Sequence, residues 1–574
     1  MGPTGQRAVH RVAARIWGRG VTPRAILRQR ATGRALATSA LVAASALVPA
    51  PALLPAELVG QEIDVVEMTT RDVLAGYAAG AFTAVELTRA FLDRIARYER
   101  HYNAFISMNP QALAIAAALD VEYAGTGPRG PLHGVPVVIK DNIDYGGLVT
   151  TAGWDGFSEA TGGVDMIPDD DAAVVTRLRE AGAIILGKTN LPDFAGHGTR
   201  TNSSVAGQTL NPYNTDKVPG GSSGGTATAV NGSFAVLGLG TETGGSIQNP
   251  ASAQGLVGVK PTYGLVPLEG VVPISGTYVD VVGPLAKTVY DAAVALDVLA
   301  GPTPEDLATY SASGHIPEEG YAASLSTTSL AGMRFGLVGD GWRDDWLPLD
   351  PATEIEYRAA IEVLVALGAE VVEDPFLGSG FVELYDERTR VPSQGTHDMF
   401  VYLRELGPGA PFNSIAEWEM LSGREYRRGR GGGGGRGRGD APRVPARPSA
   451  TEEGDAYQAW RYNLRILYRS VLEDNELDGL FFPQSGVPNR NLVEDPERPD
   501  YAPNNWAEIP SNIVNDLGVP VVTVPSSYFE DGTPFVLAFV GDMWTEAELL
   551  SFAYAYEQAT GARVPPHLVE KGGG

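Results

Sequence analysis

Lys140 is the first candidate for chemistry, because it directly follows the apolar segment Pro136–Ile139. Lysine is rarely buried without a partner. Burial would lower the pKa of its amine and let it act as a neutral base. The alternative is a lysine that simply emerges at the end of a strand and pairs with Asp141. This segment alone leaves both interpretations open.

Ser222 and Ser223 lie in a glycine-rich segment, Pro-Gly-Gly-Ser-Ser-Gly-Gly-Thr-Ala, at residues 219–227. Four glycines would be costly in a regular helix or strand. They indicate an unusual backbone conformation or backbone amides that point inward. A flexible linker is the alternative, but the apolar, Ala-rich stretch that follows is typical of a buried helix.

Ser246 belongs to a second segment of small residues, Gly-Leu-Gly-Thr-Glu-Thr-Gly-Gly-Ser-Ile, at residues 238–247. The segment continues from a predicted buried strand, Phe234–Leu239, so the serine is presented at a strand end. Successive small residues leave backbone N–H groups free to hold an oxyanion. The region closes with Gly-Leu-Val-Gly-Val-Lys-Pro at residues 255–261.

Taken in order, these segments resemble the amidase-signature family, which includes fatty acid amide hydrolase, malonamidase, peptide amidase and the A-type component of amidotransferases. The resemblance extends over essentially the whole chain after residue 60. The separation of Ser222 from Ser246 also matches the family. The resemblance implies hydrolysis of a carboxylic amide to an acid plus ammonia or an amine, and it requires no metal and no cofactor.

The resemblance also implies a Ser-cisSer-Lys triad. Ser246 would be the nucleophile that forms an acyl-enzyme. Ser222, entered through a cis peptide bond from Gly221, would pass a proton between Ser246 and neutral Lys140. The oxyanion hole would use the backbone N–H groups of Thr243, Gly244, Gly245 and Ser246.

One position departs from the family pattern. Most members carry arginine two residues after the nucleophile, where this chain has Gln248. That arginine supports the neighbouring acidic residue, here Glu242, and performs no chemistry itself. The departure therefore puts close kinship with the best-known members in doubt, and not the reaction. The Gly-Thr-Glu-Thr version of the loop is reminiscent of the peptide-amidase branch.

Two other hydrolase mechanisms fit the sequence less well. Residues 221–225 satisfy the G-x-S-x-G pattern of Ser-His-Asp hydrolases, but that pattern needs a strand before it, and residues 217–220 are a poor strand. A histidine after the serine in the chain would also be needed. The candidates are His315, His397 and His567, and the residues around each give no sign of a catalytic role. A metalloamidase is disfavoured because His133 and His197 lie far apart in sequence.

Three alternatives stay within the same scaffold. The first is an ammonia-generating component of the amidotransferase A type, which would be cytosolic and partnered; an export signal and strong acidity speak against it. The second is a carbamate or ester hydrolase. The third is a non-catalytic binding protein, which is disfavoured because Lys140, Ser222 and Ser246 are all intact.

The elements around these segments alternate between helices and strands. Helical starts are predicted after Thr69 and Thr83, and an amphipathic helix at Ala172–Ala181. Further short apolar strands are predicted at Ala183–Leu186, Arg334–Val338 and Gly518–Val524. Such alternation predicts an α/β fold, a three-layer α/β/α arrangement with a central mixed β-sheet flanked by helices.

Composition narrows the possible partners. The formal net charge of −26 would repel nucleic acid and an anionic membrane surface. The absence of cysteine excludes disulfides and a cysteine nucleophile. We therefore expect a small-molecule amide as substrate, no nucleic acid and no stable membrane insertion. A homodimer is the default for the oligomeric state.

Residues 1–60 are predicted to be an export signal that lies outside the fold. Eight arginines precede an apolar, Ala-rich run from Ala35 to about Leu54 that contains Pro49 and Pro51, an order typical of secretory signals. A secreted or periplasmic location follows. Residues 61–574 are predicted to form one catalytic domain, with a disordered Gly/Arg/Pro-rich loop at about 427–450.

The sequence leaves the substrate open. Five aromatic residues could line an apolar pocket, although aromatic residues in a chain of this size more often belong to the core. They are Trp154, Phe157, Phe194, Tyr278 and Trp506.

Overall fold

The structure, a computed structural model, describes residues 63–343, 345, 347–389, 391, 394–426, 445–497 and 507–570. The described residues belong to one compact unit, Glu62–Gly574. The predicted export signal at residues 1–60, most of the predicted Gly/Arg-rich loop and Trp506 lie outside the described residues. The end of that predicted loop is ordered, because Pro448–Ala450 forms a short 3₁₀ helix in which Pro448 is buried.

A single mixed sheet of eleven strands forms the centre of the described chain, in the order β1-β3-β2-β6-β8-β7-β12-β13-β11-β9-β10. These strands are β1 (Phe105–Met108), β2 (Pro136–Lys140), β3 (Ile184–Thr189), β6 (Leu237–Glu242), β7 (Val257–Lys260), β8 (Val281–Ala286), β9 (Arg334–Leu337), β10 (Glu370–Val372), β11 (Gly479–Pro483), β12 (Val521–Tyr528) and β13 (Pro534–Val540). A separate hairpin pairs β4 (Asn202–Ser203) with β5 (Gly207–Gln208).

Helices connect and cover the strands. In chain order they are α1 (Thr70–Ala79), α2 (Ala84–Tyr102), α3 (Ala112–Thr126), α4 (Ala173–Glu180), α5 (Gly224–Asn231), α6 (Gln248–Ala253), α7 (Val289–Leu299), α8 (Pro351–Ala366), α9 (Phe381–Asp386), α10 (Gln394–Glu405), α11 (Ile415–Ser422), α12 (Glu452–Asp474), α13 (Ser511–Leu517) and α14 (Glu546–Thr560). The predicted α/β fold, with a mixed sheet flanked by helices, is confirmed.

Local sequence explains where the first helices begin. Thr69 caps α1 and Thr83 caps α2, and each accepts a hydrogen bond from the backbone of the acidic residue three positions later, Asp72 or Glu86. The acidic side chain bonds back to the threonine backbone, which completes a capping box. Both predicted helix starts are therefore confirmed.

Strand boundaries were harder to predict. The predicted strand Phe234–Leu239 is wrong at its start, because β6 begins at Leu237. Phe234 belongs instead to the turn after α5, where its backbone N–H donates to Ala229 O at 2.7 Å. The predicted strand Gly518–Val524 likewise begins later, at Val521. An apolar run indicates that a segment is buried, but a buried turn can be as apolar as a buried strand, so the run alone does not show where the strand begins.

β2 and β6 are adjacent and parallel, whereas β6 and β8 are antiparallel. The carboxyl ends of β2 and β6 therefore lie at the same edge of the sheet, together with the amino end of β8. Every residue of these three strands is buried. This edge carries the residues that the sequence singled out. Among the described helices, none is long and apolar enough to cross a membrane.

Candidate active site

Lys140 is the last residue of β2 and is completely buried. Its Nζ lies 2.7 Å from Ser222 Oγ. The same Nζ lies 2.9 Å from Thr241 Oγ1 and 3.1 Å from Thr241 O, on the neighbouring strand β6. Asn142 Nδ2 donates to Thr241 Oγ1 at 3.0 Å. Thr241 and Asn142 therefore hold the amine against Ser222.

Burial lowers the pKa of Lys140 from 10.5 to about 7, although the nearby carboxylates of Glu242 and Asp280 raise it. The ammonium form is disfavoured because, within the described part of the chain, no carboxylate forms an ion pair with Nζ, so water is lost without a paired charge to replace it. The alternative in which Lys140 pairs with Asp141 is wrong. Asp141 forms a buried ion pair with Lys188 instead, at 3.1 Å.

Ser222 lies in a buried turn that leads into α5. The peptide bond between Gly221 and Ser222 is cis. Gly220 has a positive φ of 74°, and a side chain there would collide with Pro250. A side chain at Gly221 would also come within 2.7 Å of His197 O. The glycines are thus required by close approach, and the flexible-linker alternative is wrong.

Ser246 lies in the loop that joins β6 to α6. It is 7% exposed, whereas Lys140 and Ser222 are 0% exposed. The backbone N–H of Ser223 donates to Ser246 O at 3.2 Å, which joins the two serine-bearing segments. The structure therefore orders the three residues from the buried lysine, through a buried serine, to a serine that retains some contact with solvent.

The loop before Ser246 is shaped by its glycines. Gly245 has a φ of 99°, a conformation that residues with side chains rarely adopt. A Cβ on Gly244 would lie 1.9 Å from Asn512 Oδ1, so the exposed Asn512 of α13 covers this glycine closely. The carbonyls of Gly245 and Ser246 accept backbone hydrogen bonds from Asn249 and Ser223, so these carbonyl oxygens are engaged within the fold.

The Glu242 carboxylate binds the residues that directly follow Ser246. Its Oε2 accepts hydrogen bonds from the backbone N–H groups of Ile247 at 2.7 Å and Gln248 at 3.1 Å. Its Oε1 accepts one from Gln248 Nε2 at 2.5 Å. Gln248 thus supports Glu242, the role expected of the arginine that most family members carry.

Three of the aromatic residues considered for a pocket pack together. Trp154, Phe157 and Phe194 are buried in a second apolar cluster. Its remaining buried members are Ala152, Met166, Val272, Met399, Tyr402, Leu403, Leu406, Phe412 and Trp418. Tyr278 is buried in the main core. All four side chains are therefore buried among apolar neighbours.

Three of the histidines considered for other mechanisms have structural contacts. His133 Nδ1 accepts a hydrogen bond from Arg129 N at 3.0 Å, and His315 stacks on Trp544. His397 Nδ1 lies 3.3 Å from Asp398 Oδ1. Across the described ranges, no group of three or more histidine, aspartate or glutamate residues could hold a metal ion.

The sequence did not single out Thr241, Asn142 or Asp280, all of which contact the candidate site residues or their neighbours. A signal for two of them existed. Thr241 lies in the segment 238–247 that carries Ser246, and Asn142 follows Lys140 by two positions. The contact of Asp280 depends on how β6 pairs with β8, which no local pattern predicts.

The fold and its known relatives define an enzyme that acts on amide C–N bonds. The family described as Amidase matches residues 86–386. A curated relative from Alkaliphilus metalliredigens, the A component of glutamyl-tRNA(Gln) amidotransferase, is 33% identical over 506 residues, 87% of this chain and 97% of that protein. The chain belongs to the amidase-signature family.

Solved structures give the same result. The peptide amidase of Stenotrophomonas maltophilia is 34% identical, with a TM-score of 0.69 over 88% of this chain and 99% of that chain. The A component of glutamyl-tRNA(Gln) amidotransferase from Thermotoga maritima is 25% identical, with a TM-score of 0.61 over 88% of this chain and 99% of that chain.

Proposed function

We propose that this protein hydrolyses a linear carboxylic amide through an acyl-enzyme on Ser246, activated by Ser222 and Lys140. The observation that carries the proposal is the completely buried amine of Lys140, 2.7 Å from Ser222 Oγ. A neutral amine has two N–H donors and one lone pair. The two oxygens of Thr241 take the two donors, which leaves the lone pair to accept the Ser222 hydroxyl proton.

In the first step, Ser246 Oγ attacks the carbonyl carbon of the amide. The Ser246 proton moves to Ser222 Oγ while the Ser222 proton moves to Lys140 Nζ. A tetrahedral oxyanion forms, and the same relay then runs in reverse to protonate the departing nitrogen. Ammonia or an amine leaves, and the acyl group stays on Ser246.

In the second step, water replaces the leaving group. As its oxygen attacks the ester carbon, its proton passes to Ser222 Oγ while the Ser222 proton passes to Lys140 Nζ. Collapse of the intermediate reverses this relay, and Ser222 returns a proton to Ser246 Oγ. The carboxylic acid is released and Lys140 is neutral again. Lys140, Ser222 and Ser246 thus return to their starting protonation states after one turnover, so the reaction needs only water besides the amide.

The oxyanion is stabilised by the backbone N–H groups of Thr243, Gly244, Gly245 and Ser246. This assignment is supported by the Gly245 carbonyl, which accepts a hydrogen bond from Asn249 N and so directs the Ser246 N–H of the same peptide to the opposite side. Pre-oriented backbone donors stabilise developing charge without reorganisation during the reaction. Glu242, behind the loop, fixes the direction in which these donors point.

The similarity to a peptide amidase over 88% of this chain supports an amide as substrate. A carbamate or an ester is the alternative on the same scaffold, since both present an acyl carbon to the same nucleophile. The second candidate function is that of an amidotransferase A-type component. Curated relatives with that role in their names, such as the 34% identical protein of Thermosynechococcus vestitus over 83% of this chain, favour it.

The test is hydrolysis by the purified chain of a panel, read by release of ammonia or amine. The panel holds a short aliphatic amide, an aryl anilide, a peptide amide, a long-chain amide, a carbamate and glutamine. Wild type is compared with Ser246→Ala and with Ser223→Ala as the matched control. We expect at least one amide to be hydrolysed and activity to vanish in Ser246→Ala. Ser223→Ala removes a hydroxyl that bonds the backbone of Thr241, so it should lower activity without abolishing it.

The other outcomes are informative. Activity that survives in Ser246→Ala would show that Ser246 is not the nucleophile. Hydrolysis of glutamine alone, increased by partner proteins, would instead support the amidotransferase role.

A further inference from the structure

Asp280 immediately precedes β8 and lies opposite the loop that carries Ser246. The antiparallel register pairs Glu242 with Val281, so the next residues along, Thr243 and Asp280, face each other beyond the strand ends. The Thr243 hydroxyl donates to Asp280 Oδ1 at 2.6 Å. The sheet therefore brings a carboxylate directly against the first residue of the candidate oxyanion loop.

The other oxygen of this carboxylate binds a different segment. Asp280 Oδ2 accepts hydrogen bonds from the backbone N–H groups of Ile274 and Ser275, each at 2.8 Å. Asp280 is 6% exposed, so protein donors replace most of its hydration. A buried carboxylate with three such donors holds both segments firmly, because charge-assisted hydrogen bonds are strong and directional.

We propose that Asp280 is a positioning residue for the amide hydrolysis proposed above, on which this inference rests. By holding Thr243 against the Ile274–Ser275 segment, Asp280 fixes the direction of the backbone N–H groups from Thr243 to Ser246. Oxyanion donors act only within a narrow range of distance and angle. A small rotation of Thr243 therefore weakens binding of the oxyanion more than binding of the amide itself.

The charge of Asp280 also acts on Lys140 through space. Glu242, on β6, and Asp280 are the two carboxylates that raise the pKa of Lys140 against the effect of burial. The pKa of Asp280 is itself raised, mainly by burial and to a smaller extent by the charge of Asp398 on α10. Removing the Asp280 charge therefore lowers the pKa of Lys140, which loss of packing alone would not do.

The experiment compares Asp280→Asn and Thr243→Val with wild type on the best amide of the panel. We expect kcat to fall by about tenfold or more in both variants, because the oxyanion donors lose their alignment. We expect KM to change by less than about threefold. The acid limb of the kcat/KM profile moves to lower pH in Asp280→Asn, but not in Thr243→Val, which keeps the carboxylate.

Asp398→Asn is the matched control. Its carboxylate binds Thr277 N at 3.0 Å and the Thr277 hydroxyl, in the same segment but without contact to Thr243. We expect its kcat to stay within about threefold of wild type. If Asp280→Asn does not fold, Thr243→Val decides the question, because it removes a single hydroxyl.

Two outcomes separate this inference from the proposed function. The first applies when Ser246→Ala is inactive. The positioning role is then overturned if Thr243→Val keeps the wild-type kcat and if any Asp280→Asn that folds keeps both the wild-type kcat and an unshifted acid limb. Hydrolysis that persists in Ser246→Ala overturns the proposed function itself, whatever the Asp280 variants do.

Discussion

Gln248 donates a hydrogen bond to Glu242 behind the loop that carries Ser246, with Nε2 2.5 Å from Oε1. The backbone N–H of Gln248 donates to the other oxygen of the same carboxylate at 3.1 Å. Glutamine thus gives Glu242 a neutral donor where the family resemblance leads us to expect a charged one. The carboxylate keeps its support, and the turn after Ser246 keeps its shape.

Replacing Gln248 with leucine should destabilise the protein. Glu242 is 1% exposed, so its Oε1 would lose the one side-chain donor that the described residues give it and find no water in exchange. We expect the free energy of unfolding to fall by about 1–3 kcal/mol, measured by urea denaturation. Gln248→Arg keeps a donor to Glu242 and should therefore lose less stability than Gln248→Leu. Equal stability of the leucine variant would show that Oε1 has another partner.

Activity should depend on pH through Lys140. Only the neutral amine accepts the Ser222 proton, and burial holds the pKa of Lys140 at about 7. We therefore expect kcat/KM to rise with pH through this value and to level above it. A profile that is flat across this range would show that no group with this pKa acts as the base.

Substitution of Lys140 by methionine should separate chemistry from packing. Methionine has a similar length but no base, so kcat/KM should fall by about 10³-fold or more while the circular dichroism spectrum is retained. Lys287→Met is the matched control. Lys287 is also buried with a lowered pKa of about 8, and its Nζ contacts Ala235 O at 3.2 Å. Activity and its pH profile should be preserved there.

Much of the site could be predicted from the sequence because its constraints are local. Close approach at Gly220 and Gly221 excludes side chains, and Gly245 needs a positive φ, so glycine marks each of these positions. The apolar residues before Lys140 indicate a buried strand, but they leave open whether its amine is buried or pairs with Asp141. The roles assigned to Lys140, Ser222 and Ser246 rest on resemblance and stay predictions until the variants are measured.

Contacts between distant segments could not be predicted. Asp280 meets Thr243 only because β6 and β8 pair in one register, and Asp141 takes Lys188 as its partner only because β2 and β3 are adjacent. Nothing in the local pattern around Asp141 distinguishes Lys188 from Lys140. Export and a homodimer likewise stay predictions, since neither depends on the described fold.

The ion pair between Lys188 and Asp141 is completely buried, and breaking it should be costly. Lys188→Met would leave the Asp141 carboxylate without its counter-charge, so we expect a loss of about 3–5 kcal/mol in the free energy of unfolding. Adding Asp141→Asn to that variant removes the orphaned charge and should restore part of the loss. Denaturation of Lys188→Met, of Asp141→Asn alone and of the double variant completes the cycle, and additive losses would show that the pair is not coupled.

Asp144 should make stability depend on pH. Tyr402 and Thr150 donate to its Oδ1 at 2.9 and 2.7 Å, but burial dominates and raises its pKa from 3.8 to about 7, despite the nearby charge of Lys188. Between these values the folded state binds the extra proton. The contribution of Asp144 to stability therefore increases as the pH falls through about 7, and it is constant below the unfolded pKa.

Asp144→Asn mimics the protonated carboxyl at every pH. It should match wild type at about pH 4 and become more stable than wild type as the pH rises to about 7, with a limiting slope of roughly 1.4 kcal/mol per pH unit. Urea denaturation of both proteins across this range measures the slope. Tyr402→Phe is the companion variant, because it removes one donor to the ionised form and should cost more at high pH than at low pH. A stability difference that does not change with pH would show that Asp144 keeps the same protonation state in the folded and unfolded protein.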